Sequence, residues 1–322
     1  MKSQRNRFKT VAVLAGGIGE ERPVSLQSGQ NVYQALQKTD LDVRFADIQP
    51  EDLSILDDPS IDIFFLILHG QFGEDGHLQK ILEEKNLVYT GSDSAASCLA
   101  FDKWAAKKRF CEQAIPTPPA VYVDAEAVEA ELLEAINGLG GERFVVKPLR
   151  QGSSVGVQLV RTAREALDAA QDCFRRFGDC MVERFIPGRE ITVGIVDQMI
   201  LPVIEIRPKR SFYDYQAKYI DEQTEFLFDT FPNARDVALF QETALKSFRA
   251  LGCRHFGRVD MIVDAQGTPW VLEINTLPGF TSHSLLPMAA ARAGLDATGL
   301  CLKILEAAWM DFQKRASETR EL

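Results

Sequence analysis

The chain has 322 residues, of which 46% are hydrophobic and 25% charged. This length allows two or three domains, and the composition is ordinary for a globular protein, which excludes a disordered or collagen-like chain. The 46 acidic and 36 basic residues leave a formal charge of −10, the wrong sign for binding nucleic acid, so we expect a small-molecule substrate and no nucleic-acid partner.

Strands alternate with helices through the first third of the chain. Near-continuous apolar strands are predicted at 9–14, 43–48, 61–68 and 87–89, and helices at 24–36, 77–85 and 94–113. Such strands are typical of a parallel sheet covered on both faces, so the fold class is α/β. The longest apolar run is too short to span a bilayer, and the basic N-terminus lacks an apolar signal region. We therefore expect a cytoplasmic protein without membrane insertion.

Three prolines within residues 115–119 interrupt this pattern and indicate that a second lobe begins near there. The elements predicted beyond them are a helix at 125–137, strands at 144–148 and 155–160, a helix at 163–177, a strand at 180–185, strands within 190–206, a helix at 235–251, a hairpin at 256–274 and helices after 284. The long loop 207–230 is rich in basic and aromatic residues, which is typical of an active-site lid, although an irregular surface loop is the alternative.

The hairpin contains the most informative pattern, two alternating apolar strands that flank Gln266 and Gly267. If those two residues form the turn, Asp260 lies directly opposite Glu273, and Asn275 shares their face of the sheet. Three oxygen ligands on one face suit Mg²⁺ shared with phosphates. A three-residue loop would instead move Asp260 to the other face, and a solvated polar face is the alternative interpretation.

Two glycine-rich loops also carry candidate residues. The loop after the first strand lacks the third glycine of a dinucleotide fingerprint, and its carboxylates Glu20 and Glu21 suit a substrate ammonium better than a pyrophosphate. Residues 149–157 form a loop whose N–H groups can cradle phosphates beside Lys147, although a flexible hairpin is the alternative. His69 follows a strand at the edge where parallel sheets place ligands, yet a lone histidine there is more often structural.

Seven motifs follow one another along the chain: GG-x(3)-ERPVSLQSG (16–29), HGQFGEDGHLQ (69–79), YTGS (89–92), KPLRQGSSVGV (147–157), FYDYQAKY (212–219), GRVDMIVD (257–264) and EINTLPGFTSHSLLP (273–287). Together they resemble the D-alanine:D-alanine ligases of the ATP-grasp superfamily. The resemblance implies an ATP-grasp fold of α/β class with α+β lobes. Its expected lobes are a Rossmann-like N-terminal lobe at 1–96, a central lobe at 97–185 and a C-terminal lobe at 186–322 with the lid 207–230.

The same resemblance implies ligation of two D-alanines through an acyl phosphate, for peptidoglycan precursor synthesis, with ATP as a substrate and two Mg²⁺ or Mn²⁺ ions. It places the metal ions on Asp260, Glu273 and Asn275. The residues that it places around ATP are Lys103, Lys147 and Ser154 on the phosphate side, Glu183, Arg184, Phe185 and Ile186 at the adenine, Glu190 at the ribose, and Phe212 and Lys218 in the lid.

The remaining implied residues concern the amino acids. Glu21 would hold the ammonium of the first D-alanine, with Ser153 and Tyr219 as its hydrogen-bonded partners. The residues implied beyond these are Arg258 and the Gly279 backbone at the reaction's oxyanion, and Ser284 at the carboxylate of the second D-alanine.

Two rival functions stay open at the level of the sequence. A D-alanine:D-lactate or D-alanine:D-serine ligase would share the fold, and Tyr219 in the lid favours D-alanine over these. A non-catalytic ATP-binding regulator would be expected to lose metal ligands or Arg258, and all of them are present. The resemblance also leads us to expect a homodimer.

Overall fold

Three β-sheets organise the residues that a computed structural model describes, 8–208, 224–281 and 283–318. The first sheet contains β1 (Thr10–Gly16), β2 (Asp42–Ile48) and β3 (Ile63–Leu66), paired in parallel in the order β2-β1-β3. Helix α1 (Arg22–Leu36) follows β1 and packs on it, and a short 3₁₀ turn lies at Ser54–Asp57. The central strand is buried because the sheet is covered on both faces, as a parallel sheet requires.

Three helices complete this part of the chain: α2 (His77–Glu84), α3 (Ser94–Phe101) and α4 (Lys103–Glu112). The single helix predicted at 94–113 was wrong, because Asp102 adopts an extended conformation between α3 and α4. Its carboxylate accepts the N–H groups of Trp104 and Ala105 at 3.1 and 3.0 Å and so caps a new helix. The strand predicted at 87–89 is reduced to one bridge between Phe64 and Tyr89.

The second sheet is antiparallel and has the order β4-β7-β5-β6. Its strands are β4 (Ala120–Val123), β5 (Phe144–Pro148), β6 (Gln158–Val160) and β7 (Cys180–Arg184). Helices α5 (Glu129–Gly138) and α6 (Ala163–Phe177) pack against each other and close its core. The bounds of α6 agree with the prediction because Thr162 caps its start, where its hydroxyl accepts the N–H of Glu165 at 3.1 Å.

The third sheet is also antiparallel, with the order β11-β10-β8-β12-β13 and β9 paired to β8. Its strands are β8 (Gly188–Val196), β9 (Met199–Ile200), β10 (Ile204–Arg207), β11 (Glu225–Leu227), β12 (Phe256–Asp264) and β13 (Pro269–Asn275). Helix α7 (Ala234–Ala250) packs on one face. The final helices α8 (Leu285–Arg292) and α9 (Ala297–Glu318) return to the core of the first sheet.

The two-residue turn predicted between β12 and β13 was wrong. The N–H of Asp264 donates to the carbonyl of Thr268 at 3.1 Å, so residues 265–267 form a three-residue loop. Gly267 closes this loop at φ +83°, a left-handed conformation that favours glycine, and it donates its N–H to Asp264 at 3.0 Å.

A β-bulge corrects the register that this longer loop shifts. Val263 pairs with Pro269 and Met261 with Val271, but the register changes between Asp260 and Met261. Asp260 therefore lies opposite Glu273 after all. The predicted facing pair is confirmed, although the turn that was expected to produce it is not present.

The parallel first sheet and the two antiparallel sheets confirm the predicted α/β class with α+β parts. The lobe boundaries 1–96, 97–185 and 186–322 stay a prediction, since residues 285–308 contribute to the same hydrophobic core as β1 and β3. Over the residues that the structure describes, no helix combines the length and the apolar character needed to cross a membrane.

Candidate active site

Two adjoining cavities lie between the sheets. The larger, of about 640 Å³, is bounded by loops of the first sheet, by residues 151–153 and by the segment 274–285 after β13. The smaller, of about 120 Å³, lies between the second and third sheets. The two cavities share Lys103, Gln151, Asp260 and Glu273, so a molecule in one can meet a molecule in the other at this wall.

The small cavity brings together the residues expected around a nucleotide outside the lid. Its lining includes Lys103, Lys147, Ser154, Glu183, Arg184, Phe185, Ile186 and Glu190. Strands β5, β7 and β8 carry Lys147, Glu183, Arg184 and Glu190, residues 185–186 lie between β7 and β8, and the 153–154 loop closes one side. The fold therefore assembles residues that lie up to 87 positions apart in the sequence (190 − 103 = 87).

Glu183 is the most deeply buried charge of the small cavity, at 2% exposure. The Nζ of Lys107 lies 2.8 Å from one of its carboxylate oxygens, and the Nζ of Lys147 lies 2.5 Å from the other. Burial alone would raise the pKa of Glu183, but the two ammonium groups together hold it below its usual value. We did not single out Lys107 from the sequence, although it shares the buried stripe of α4 with Ala106 and Phe110, where a lysine needs a partner.

The shared wall is a set of paired charges. Arg258 donates from Nε and a terminal nitrogen to the two carboxylate oxygens of Asp260, both at 2.8 Å, and Thr192 donates its hydroxyl to Asp260 at 2.6 Å. Lys103 lies 3.2 Å from Glu273 and donates to the carbonyl of Gln151 at 2.7 Å. Each acidic side chain of the wall is thus held by a cation, Asp260 by Arg258 of the same strand and Glu273 by Lys103 of α4.

These carboxylates and Asn275 form the predicted metal set. Asn275 follows on β13, pairs with Arg258 in the ladder, and accepts the N–H of Leu277 at 3.0 Å through its amide oxygen. Two carboxylates and an amide oxygen have the hard-donor chemistry that Mg²⁺ and Mn²⁺ prefer. In the described parts of the chain no group of three or more His, Cys, Asp or Glu side chains is arranged as a metal site. The metal assignment stays a prediction, and the donor chemistry fits it.

Glu21 also lines the large cavity and lies immediately before α1. The hydroxyl of Ser153 donates a short hydrogen bond to its carboxylate, which confirms that these two residues lie together. Glycines at 70 and 152 permit this approach, because a Cβ at Gly70 would lie 2.5 Å, and one at Gly152 2.9 Å, from the Glu21 Oε2. Ser153 and Ser154 have φ values of +50° and +59°, an uncommon pair of left-handed residues that turns the loop into the cavities.

Glu74 lies next to Glu21 and lines the same cavity. Its carboxylate accepts the N–H of Gly70 at 2.8 Å. Burial, with the charges of Glu21 and Glu273, raises the pKa of Glu74 to about 8, although the Gly70 N–H and Lys103 oppose the shift. No role was predicted for Glu74, although its position just beyond the end of β3 was a usable signal.

The segment after β13 contributes Gly279 and Ser284 to the large cavity. The hydroxyl of Ser284 accepts the N–H of Thr281 at 2.9 Å, and Ser284 precedes the first residue of α8. A Cβ at Gly279 would lie 2.8 Å from the Ser284 hydroxyl, so glycine allows the backbone to pass close to this side chain.

Helix α1 holds this segment through two side chains. Phe280 donates its N–H to the hydroxyl of Ser28 at 3.1 Å, and its carbonyl accepts from the amide of Asn31 at 2.9 Å. His69 lies 3.5 Å from the same hydroxyl, and burial lowers its pKa to about 4, so it is neutral at pH 7. His69 therefore lies between α1 and this segment as a neutral imidazole, and it also lines the large cavity.

The lid residues Phe212, Lys218 and Tyr219 lie outside the described residues. Thr224 and Phe226, on the C-terminal side of that segment, line the large cavity together with Ile206 on its N-terminal side.

The chain is similar to known proteins of one family over most of its length. A family model described as D-ala D-ala ligase C-terminus matches residues 112–306. The D-alanine–D-alanine ligase of Aromatoleum aromaticum is 44% identical over 305 residues, which are 93% of this chain and 96% of that protein. The ligase of the same name from Thermotoga petrophila is 41% identical over 95% of this chain and 99% of its own length.

Solved structures of ligases are also similar to this chain. The D-alanine–D-alanine ligase of Bacillus anthracis, complexed with ATP, aligns with a TM-score of 0.83 at 32% identity, over 96% of this chain and 99% of its own. A D-Ala:D-Ser ligase from Enterococcus faecalis aligns with a TM-score of 0.82 at 27% identity, over 94% of this chain and 100% of its own. These alignments extend over nearly all of the chain and confirm the predicted fold.

Proposed function

This chain belongs to the D-alanine–D-alanine ligase family, and on that basis we propose that it joins two D-alanines to D-alanyl-D-alanine at the expense of ATP, for peptidoglycan precursor synthesis. One observation carries the proposal beyond the family name. A cavity suited to a nucleotide and a cavity with carboxylates suited to an ammonium share one wall, which contains Lys103, Asp260 and Glu273. Phosphoryl transfer between two ligands requires such a junction.

ATP occupies the small cavity in this proposal. Residues 183–186 contact the adenine, Glu190 the ribose, and Lys103, Lys147 and Ser154 the phosphates; all of them line that cavity. The residues proposed to hold two Mg²⁺ or Mn²⁺ ions are Asp260, Glu273 and Asn275. When bound, these ions would neutralise charge on the phosphate oxygens. Phe212 and Lys218 of the lid are proposed to contact the nucleotide from the remaining side.

The first D-alanine binds by its ammonium to Glu21, which Ser153 already contacts and which Tyr219 is proposed to reach from the lid. This places its carboxylate toward the shared wall. A carboxylate oxygen attacks the γ-phosphorus, the bond to the β-phosphate oxygen breaks, and ADP and an acyl phosphate result. Positioning and charge neutralisation account for most of the rate of such a step.

The second D-alanine then attacks with its neutral amine. A C–N bond forms, the C–O bond to phosphate breaks, and the amine loses a proton to give the dipeptide and inorganic phosphate. Arg258 and the Gly279 N–H are proposed to stabilise the tetrahedral oxyanion, and Ser284 to bind the carboxylate of the second D-alanine. All three line the large cavity, which supports these roles.

Three further expectations remain proposals of the same kind. The lobe boundaries rest on the motif positions, and the cytoplasmic location and the homodimer rest on the resemblance to the ligase family.

The test is release of phosphate from ATP in the presence of D-alanine, D-serine or D-lactate, with mass spectrometry of the products. We expect D-alanyl-D-alanine as the main product and little release without D-alanine. A preference for D-serine or D-lactate as the second substrate would favour the rival ligases. ATP binding without any condensation product would favour a non-catalytic protein.

A further inference from the structure

Lys107, Glu183 and Lys147 form a buried row of charges beside the small cavity, with the carboxylate between two ammonium groups. Their exposed fractions are 6%, 2% and 12% for the side chains of Lys107, Glu183 and Lys147. Lys147 and Glu183 line the cavity, whereas Lys107 does not. The row thus has one cation that a ligand can reach and one that it cannot.

Lys107 is fixed more firmly than a simple ion pair would require. Besides Glu183, its ammonium donates to the hydroxyl of Thr117 and the carbonyl of Pro118, both at 2.7 Å. The ion pair with Glu183 at 2.8 Å adds a third contact, so one carboxylate and two neutral acceptors surround the ammonium. The Thr117 hydroxyl in turn donates to the carbonyl of Val271 on β13 at 2.9 Å, which fastens this arrangement to the third sheet.

Lys147 is in a different situation, because two anions compete for it. It lies 2.5 Å from Glu183 in the structure, and the proposed function assigns it to the phosphates of ATP. A compact ammonium that turns toward phosphate leaves its first partner. A carboxylate as buried as Glu183 would then be uncompensated, which strongly disfavours its ionised form unless another cation remains.

We propose that Lys107 is a positioning residue for nucleotide binding: it remains paired with Glu183 and so allows Lys147 to move from Glu183 to the phosphates without protonation of the buried carboxylate. The inference rests on the proposed ATP site. It adds a residue that does not line the cavity and acts only through Glu183.

The charges that act on Glu183 support this step. Among the described residues, the cations that act on Glu183 are Lys107 from α4 and Lys147 from β5. Together they keep the pKa of Glu183 below its usual value despite burial. Burial and the charge of Lys147 lower the pKa of Lys107, whereas Glu183 and, more weakly, Cys111 raise it. Without Lys107, departure of Lys147 would leave Glu183 with burial as the dominant influence, and the carboxylate would take up a proton.

Proton uptake on nucleotide binding can be measured by calorimetry. The non-hydrolysable analogue AMP-PNP is titrated together with Mg²⁺ at one pH in buffers of different ionisation enthalpy, and the dependence of the binding enthalpy on the buffer gives the number of protons taken up. We expect Lys107→Met to bind about 10-fold more weakly than the wild type and to take up additional protons, up to one per nucleotide. In Lys107→Met/Glu183→Gln the ionisable carboxylate is gone, so the additional uptake should disappear. Lys108→Met, on the exposed face of the same helix, should bind as the wild type does.

Lys107→Gln is measured in parallel, because it keeps a polar group for Thr117 and Pro118 if methionine prevents folding. The inference is overturned if folded Lys107 variants show the proton uptake of the wild type, or if the additional uptake persists in the double variant. A fold defect alone would weaken binding without adding protons, so it would count against the proposal. Failure of the wild type to form dipeptide would refute the proposed function while leaving this measurement intact.

Discussion

The two cavities differ in how their charges are compensated. In the small cavity each buried acid has a cation within hydrogen-bonding distance, as Glu183 has in Lys107 and Lys147. In the large cavity Glu21 and Glu74 lie together, and burial with the neighbouring charge raises the pKa of Glu74 to about 8. Strands supply most of the walls of the first region, whereas loops and helices together supply most of the second.

This difference matches the charge of the proposed ligands. A polyanion is bound by cations whose existing partners can be replaced, so a site for ATP benefits from lysines that are already paired. An ammonium stabilises ionised carboxylates, so two acids held close together suit it even though burial and mutual repulsion favour the protonated form of Glu74 in its absence. Substitutions in the two cavities should therefore fail in different ways.

The largest effect is expected at the wall that the cavities share. Glu273→Gln keeps the shape of the side chain and removes its charge, so we expect ligation to fall about 1,000-fold because charge on the phosphates is less well neutralised. The measurement is dipeptide formation at saturating ATP and Mg²⁺, with circular dichroism to check the fold. Turnover within a few-fold of the wild type would refute the role of Glu273.

A smaller and more selective effect is expected at Glu21 in the large cavity. Glu21→Gln removes the charge proposed to pair with the first ammonium, so KM for the first D-alanine should rise about 30-fold. KM for ATP should change little, because Glu21 does not line the small cavity. Initial-rate kinetics separates the two constants, and equal increases in both would show that the two cavities are not distinct in function.

The sequence predicted strands and their faces better than turns and register, and the β12–β13 hairpin shows why. Alternation of apolar residues identifies the strands, and the facing pair Asp260 and Glu273 was anticipated correctly. Yet two deviations cancelled: the three-residue loop, which was only the alternative to a two-residue turn, shifts the register, and a bulge that was not expected restores it. Alternation reports a face, whereas a bulge depends on local backbone geometry that periodicity does not contain.

Long-range partners were missed for a related reason. Ser28 and Phe280 are 252 positions apart, and their hydrogen bond depends on how α1 meets the segment after β13. Lys107 was overlooked because its three acceptors come from the 117–118 linker and β7. A sequence motif reports that such residues are present, but only the packing of separate segments gives each one its partner.

Ser28 provides a test of this packing. Ser28→Ala should lower kcat about 10-fold with little change in either KM, because Phe280 loses one of its two anchors and Gly279 is no longer held in place. Thr298→Val is the control: its hydroxyl donates to the Ala35 carbonyl at 3.0 Å and ties α9 to α1 away from both cavities. An equal loss of kcat in both variants would attribute the effect to general loosening of α1.

The smallest expected effect concerns Glu74 and the unliganded protein. Its pKa is raised from 4.5 to about 8 on folding, so the folded state favours the protonated acid. The stabilisation is therefore fully present below pH 4.5 and is lost as the pH rises toward 8. Glu74→Gln resembles the protonated acid at every pH and should escape this loss.

We expect the variant and the wild type to have similar free energies of unfolding near pH 5, and the variant to be more stable by about 2 kcal/mol at pH 8.5. This difference is smaller than the full pKa shift implies, because the carboxylate is partly exposed and solvent screens it. Urea unfolding at several pH values measures it, and Glu84→Gln, exposed on α2, controls for loss of one negative charge. If the stability curves of Glu74→Gln and the wild type run parallel from pH 5 to 8.5, Glu74 is ionised throughout. The charge in the large cavity would then be compensated as it is in the small one.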